Sequence, residues 1–173
     1  MARLPVPGSR YSLGAIVFHW TIALLVIVNL WIGLVGGSMS LHKSIGITVL
    51  VLTIGRIAWR IANPPPPLPA HVAGWERGVA RWTHRLFYLM LVALPMSGWA
   101  MASGATRRPL EWFGLFPVPY LPIPPAAAGA GHEVHEVVGI TMAVLVALHV
   151  AAALRHHFML RDGVLARMLP GAR

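Results

Sequence analysis

Four apolar stretches of roughly twenty residues, separated by segments rich in glycine and proline, constrain this 173-residue chain more than any other feature of it. They run over about residues 13–34, 41–61, 80–103 and 135–158, the last losing its apolar character near Leu154. A helix rises 1.5 Å per residue, so each stretch can cross a hydrocarbon layer about 30 Å thick. In lipid the backbone must satisfy its own hydrogen bonds, which a helix does within a single segment. Barrel strands would alternate apolar and polar residues, whereas these stretches are apolar on consecutive positions. The expected fold is all-α: a transmembrane four-helix bundle, one membrane domain over residues 1–173. The first stretch is longer than the core of a signal peptide and shows no small-x-small cleavage site, so it reads as a retained span. Pro95, inside the third, should bend it.

The breaks are equally legible. "NPPPPLP", residues 63–69, closes the second span and continues as a stiff extended connection. Residues 103–132 form a stretch rich in proline and glycine. Too broken to cross the membrane, it is expected to lie over one end of the bundle.

Composition sharpens this reading. Charged residues make up 11% of the chain and hydrophobic ones 57%, where soluble domains carry about a quarter charged. Cysteine is absent, which excludes disulfides, thiolate zinc sites and iron–sulfur clusters. A formal net charge of +9 would suit nucleic acid, but the charges follow the spans instead. With four spans, Arg3, Arg10, Arg56, Arg60, Arg77, Arg81, Arg85, Arg155, Arg161, Arg167 and Arg173 share one face, and Lys43, Arg107 and Arg108 the other. Basic segments stay cytoplasmic. Both termini are therefore expected inside, with lipid and not nucleic acid as the surrounding partner. The tryptophans fall mostly near span ends, as interfacial anchors do.

The histidines are the exception to this apolar pattern. His71, His132 and His157 lie near span ends, where a ring can rest among headgroups. The others lie in or at the spans, where an ionisable side chain marks a candidate site. His135 and His149 are 14 residues apart, about 21 Å along a helix and close to four whole turns, so both rings leave one face. One metal ion cannot hold both, because ligand nitrogens lie about 2 Å from it. Two stacked sites can. His42 opens the second span at the depth of His135. His19 in the first span and His84 in the third both lie near the depth of His149. Imidazoles facing each other across a bundle suit haem iron with both axial positions filled, a carrier of electrons.

A porphyrin beside a helix also needs clearance one turn from its ligand. Four residues after His42, His135, His19 and His149 come Gly46, Gly139, Ala23 and Ala153, whereas bulky Tyr88 follows His84. This favours His19 over His84 as the partner of His149, without excluding His84. His156, seven residues past His149, falls near the same face and closer to the cytoplasm. With His84, Arg81, Arg85, Arg155 and Trp82 it outlines a polar pocket for a quinone headgroup, whose carbonyls need hydrogen-bond donors and, on reduction, protons. The arginines, including Arg77, suit haem propionates equally well.

Several stretches together resemble the bacterial cytochrome b561 family of diheme four-helix membrane proteins: "YSLGAIVFHW", "LHKSIGITVLVLTIGRIAWR", "NPPPPLP", "WTHRLFYLMLVALPMSGW", "HEVVGITMAVLVALHVAAALRHHF" and "LARMLPGAR". They cover most of the chain, in order. The resemblance implies two non-covalent haems b, with His19, His42, His135 and His149 as axial ligands. One branch is similar to a superoxide oxidase, which takes electrons from superoxide outside and delivers them to ubiquinone inside. That branch would place His156 in the quinone pocket, with Arg155 an unusual neighbour. The expected function is transmembrane electron transfer from a periplasmic donor, superoxide, to ubiquinone, with Lys43, Arg107 and Arg108 attracting the superoxide anion. The alternative is a non-enzymatic membrane anchor for a periplasmic redox protein docked on the outer loop.

Overall fold

The computed structural model describes residues 10–66, 73–104 and 109–170. Arg3, His71, Arg107, Arg108 and Arg173 fall outside these residues. The helices are α1 (Leu13–Val35), α2 (Met39–Ala62), α3 (Gly74–Ala102) and α4 (Pro125–Leu154). All four are long and apolar enough to cross a membrane, so the expected all-α bundle of four spans is what the chain forms.

Local chemistry sets the ends. The Ser12 and Ser38 hydroxyls accept from Ala15 N and Leu41 N, capping α1 and α2. Gly36, at φ 102°, supplies the left-handed turn that ends α1. Asn63 closes α2 against the prolines that follow, because a residue before proline is pushed out of helical geometry. α3 continues through Pro95, which costs one backbone hydrogen bond without ending the helix.

Two bounds differ from expectation. α3 starts six residues early, at Gly74, because the polar turn of Trp75, Glu76 and Arg77 is helical although not apolar. α4 starts ten residues early, at Pro125, so the outer connection is shorter than expected and His132 lies on the helix. Pro125 stands at the first turn, where its fixed φ favours a helix, and alanines follow. Proline and glycine density along this stretch predicts no span, and the helical first turn at Pro125 is a short-range effect that such density conceals.

Neighbouring helices pack in chain order, α1 on α2, α2 on α3 and α3 on α4, while α4 does not pack closely on α1 or α2. The core between them holds Ile22, Ile32, Ile45, Val49, Met90, Leu91 and Met142. Val137, Val144 and Leu148 point outward from α4, as contact with lipid requires.

A short hairpin, β1 (Glu111–Trp112) and β2 (Phe116–Pro117), covers the outer end. Phe113 (φ 49°) and Gly114 (φ 69°) close its turn in left-handed conformations. At the inner end α4 continues as a π-type segment, Arg155–Leu160, and the chain then folds back towards α1. Arg10 donates to Leu169 O (2.6 Å) and Trp20 to Met168 O (2.7 Å).

Candidate functional site

Two pairs of imidazoles face each other between α4 and the α1/α2 side of the bundle. The His42 and His135 ring centroids are 5.9 Å apart. Those of His19 and His149 are 6.4 Å apart. A metal bound linearly between two rings, with metal–nitrogen bonds of about 2.0 Å, sets the centroids about 6.4 Å apart. Met142, seven residues from both His135 and His149, is 1% exposed and fills the core at the level between the two pairs.

The outer pair is held by carbonyls. His42 Nδ1 donates to Asn29 O (3.2 Å), and His135 Nδ1 donates to Leu94 O (3.0 Å). A carbonyl can only accept, so the proton sits on Nδ1 and Nε2 is left as the ligating nitrogen. The Ser97 hydroxyl donates to the same Leu94 O (2.9 Å) and lies 3.1 Å from His135 Nδ1. Two glycines seat the rings. A Cβ on Gly33 would come 3.1 Å from His42 Cε1, and one on Gly98 would come 3.1 Å from His135 Cε1. Sequence spacing pointed instead to Gly46 and Gly139. At both, the nearest protein atom to an added Cβ is 3.8 Å away, an ordinary van der Waals contact, so neither glycine is crowded by a histidine ring. Gly33 and Gly98 escaped because they lie across the bundle from their histidines, on other helices.

The inner pair has a third ring beside it. His84 lies 5.8 Å from His149, on the packed α3/α4 side, and its Nδ1 donates to Ala80 O (2.6 Å). His19 Nδ1 accepts from Arg56 Nη2 at 3.3 Å, which places the proton of a neutral ring on Nε2. By hydrogen bonding alone His84 offers the freer nitrogen. Packing argues for His19. A flat macrocycle needs separated helices, and α1 stands apart from α4 whereas α3 does not. Tyr88, one turn beyond His84, is also pinned: the Arg56 and Arg60 guanidiniums lie 5.6 and 5.8 Å from its ring centre. Ala23 and Ala153 are half-buried small residues beside the inner pair.

The remaining candidates scatter. Arg81 and Arg85 are exposed on α3, and Arg85 stacks 5.0 Å over Trp82. Among the described residues no hydrogen bond or ion pair joins either to His84 or His156, because they leave α3 on its outward side. Arg155 turns to Glu76 (3.5 Å), and His156 Nδ1 pairs with the Asp162 carboxylate. Lys43 Nζ donates to Pro109 O (2.6 Å), so its ammonium helps to hold the outer connection.

That connection is tied down at further points. The Ser44 hydroxyl, fully buried, lies 3.2 Å from Glu111 O and accepts from Phe113 N (2.9 Å). Trp112 Nε1 donates to Thr48 Oγ1 (3.0 Å), Trp99 Nε1 to Pro119 O (2.8 Å), and Leu121 N to Ser103 Oγ (2.9 Å). The described part of the connection is thus tied to one turn of α2 and to the outer end of α3.

The donor set is imidazole only, arranged in facing pairs between separated helices, with the uncrowded glycines Gly46 and Gly139 one turn from the outer pair. These residues fit haem b. Among the described residues no cluster of three or more His, Asp or Glu could chelate a bare ion.

Comparison with known proteins agrees with this chemistry. Residues 10–171 match the family model described as prokaryotic cytochrome b561. The chain is 35% identical to Cytochrome b561 homolog 2 of Escherichia coli, over 92% of this chain and 91% of that one. It is 32% identical to the Probable superoxide oxidase CybB of Yersinia pestis, over 95% and 98% of the two chains. Cytochrome b561 homolog 1 of Escherichia coli is 28% identical, over 94% and 98%.

Proposed function

The chain belongs to the prokaryotic cytochrome b561 family, and from that premise we propose that it carries electrons from periplasmic superoxide to ubiquinone on the cytoplasmic side of the bacterial inner membrane. The family is one of b-type cytochromes that transfer electrons, and the chain is a multi-pass membrane protein. The finer reading rests on one observation: two facing imidazole pairs, set 14 residues apart along α4. When bound, two haems b there would supply one-electron carriage from one membrane face to the other.

The chain's own residues supply the rest. His42 and His135 hold the outer group, with Asn29 O and Leu94 O orienting the rings. His19 and His149 would hold the inner one, with Arg56 turning from His19 Nδ1 to carboxylates beside it, so that the ring's proton moves to Nδ1 and Nε2 is free to ligate. The core residues around Met142 keep the space between the pairs dry. At the outer end Lys43, with Arg107 and Arg108 in the same connection, supplies positive charge that attracts a small anion, an effect that weakens with salt. At the inner end His156 is the hydrogen-bond partner for the quinone carbonyl. The superoxide oxidase name of the Yersinia pestis relative supports this choice of donor.

One observation favours a second reading, a membrane anchor for a periplasmic redox protein. The hairpin tip presents exposed Phe113, Leu115 and Phe116, an apolar patch of the kind that marks a contact surface. Stopped-flow reduction of the purified cytochrome by superoxide separates the two. Fast reduction, abolished by superoxide dismutase and indifferent to catalase, is expected. A protein inert until a periplasmic protein is added supports the anchor.

A further inference from the structure

Beyond α4 the chain builds a structure that the spans do not require. The π-type segment Arg155–Leu160 ends at Arg161, whose left-handed backbone (φ 50°, ψ 39°) turns the chain back on itself. Asp162 N then donates to His156 O (3.3 Å), and the Asp162 carboxylate meets His156 Nδ1. Val164 N donates to the other carboxylate oxygen (3.1 Å), so the acid is fixed at both ends. The Asp162 side chain is 7% exposed and that of His156 17%. Gly163, at φ 76°, continues the reversal, and the following segment is tied to α1 through Met168 O and Leu169 O. Of the neighbouring charges, Arg155 faces Glu76, Arg161 Nε donates to Phe158 O, and Arg167 is buried in the returning segment.

Here a non-Gly residue held left-handed, where conformational cost concentrates at functional positions, delivers a carboxylate to one nitrogen of one imidazole. A carboxylate on Nδ1 does two things. It fixes which ring nitrogen faces away, and it balances the positive charge whenever the ring carries two protons. The outward nitrogen, Nε2, is then always the one that exchanges a proton with a ligand.

We infer that Asp162 is the positioning residue of a His156–Asp162 dyad that delivers a proton to the quinone carbonyl oxygen as the quinone is reduced. The inference rests on the quinone reading above. Two superoxide anions each give up one electron and leave as dioxygen. Ubiquinone takes both electrons and two protons to become ubiquinol. One of those protons moves from His156 Nε2 to a quinone oxygen as its O–H bond forms, and the ring is recharged from the cytoplasmic water. Asp162 touches neither quinone nor proton; it acts through the ring.

The test uses purified, haem-loaded full-length protein, a short-chain ubiquinone and potassium superoxide. General acids contribute about 100- to 10,000-fold, and losing the partner of one should remove at least a tenfold part of that. Asp162→Asn is expected to keep the wild-type haem spectrum and rate of haem reduction by superoxide, while kcat for ubiquinol formation falls at least tenfold and its solvent deuterium isotope effect rises. His156→Ala should fall by as much or more, and the double variant no further than His156→Ala alone. Asp162→Glu should recover most of the rate, and it decides the matter if the Asn variant loses haem. Slow His156→Ala beside unimpaired Asp162→Asn overturns this inference alone. His156→Ala at the wild-type rate overturns the quinone reading, and this inference with it. Equal loss in Asp162→Glu and Asp162→Asn without any change in isotope effect reduces Asp162 to a fold anchor.

Discussion

Replacing Gly98 with valine should cost the protein its outer haem and leave the inner one in place. An added Cβ would sit 3.1 Å from His135 Cε1 and 3.3 Å from Nδ1, where carbon atoms ordinarily rest about 3.5 to 4.0 Å apart. Alanine therefore asks the ring to retreat by a few tenths of an ångström. His135 Nδ1 lies 3.0 Å from Leu94 O, and that bond survives such a shift, stretched. The two further methyl groups of valine cannot be met this way. Ring retreat then exceeds the reach of the hydrogen bond, forfeiting about 0.5 to 1.5 kcal/mol, and overpacking adds about 1 to 3 kcal/mol. A total of about 1.5 to 4.5 kcal/mol is roughly a 10- to 1,600-fold loss of affinity at the outer site. Haem-to-protein stoichiometry, read with reduced-minus-oxidised spectra at low temperature, should fall from two towards one. Gly98→Ala should keep both haems with an altered outer spectrum. Gly139→Ala, whose added Cβ meets no protein atom nearer than 3.8 Å, should leave the His135 ring seated, so any change in the outer haem's spectrum there reports porphyrin clearance rather than ring position. A Gly98→Val protein with two haems and unaltered spectra would refute the claim that this glycine seats a ligand.

Three further outcomes follow from the same geometry. His149→Ala should lose the inner haem alone and His135→Ala the outer alone; His19→Ala should lose the inner one while His84→Ala keeps both, as haem stoichiometry will report. Ser44→Ala leaves Phe113 N and Glu111 O without the hydroxyl that ties them to α2, costing about 1 to 3 kcal/mol; limited proteolysis within residues 109–118 should quicken while haem content holds. Because the chain has no cysteine, single cysteines report topology directly. Asn63→Cys should be labelled by membrane-impermeant maleimide only in inside-out vesicles, and Leu115→Cys only in right-side-out ones.

Some of this architecture is a property of single segments and so was readable in order along the chain. Span length, the apolar run and the prolines that break it depend on residues close in sequence, and they predicted α1 to α4. Spacing within one helix is likewise intrinsic: 14 residues put His135 and His149 on one face whatever surrounds them. That spacing along α4 is the ground for expecting two stacked sites, and the structure places one facing imidazole beside each of these histidines. The start of α4 at Pro125 was missed because proline and glycine read as loop, although proline at a first turn favours the helix it precedes.

What lay beyond the sequence depends on the rotation and register of one helix against another, which linear spacing does not encode. That Gly33 and Gly98 seat His42 and His135, that Arg56 reaches His19, and that Tyr88 is held under two guanidiniums are contacts between helices. The preference proposed for His19 over His84 rests on which helices stand apart, α1 from α4 but not α3 from α4. Asp162 met His156 only because Arg161 turns the backbone left-handed, a local reversal that no periodicity forecasts. Sequence alone determined which side chains enter the membrane and at what depth, because helical rise is fixed by the backbone. Tertiary structure decided which of them face one another, because facing is settled by how whole surfaces pack.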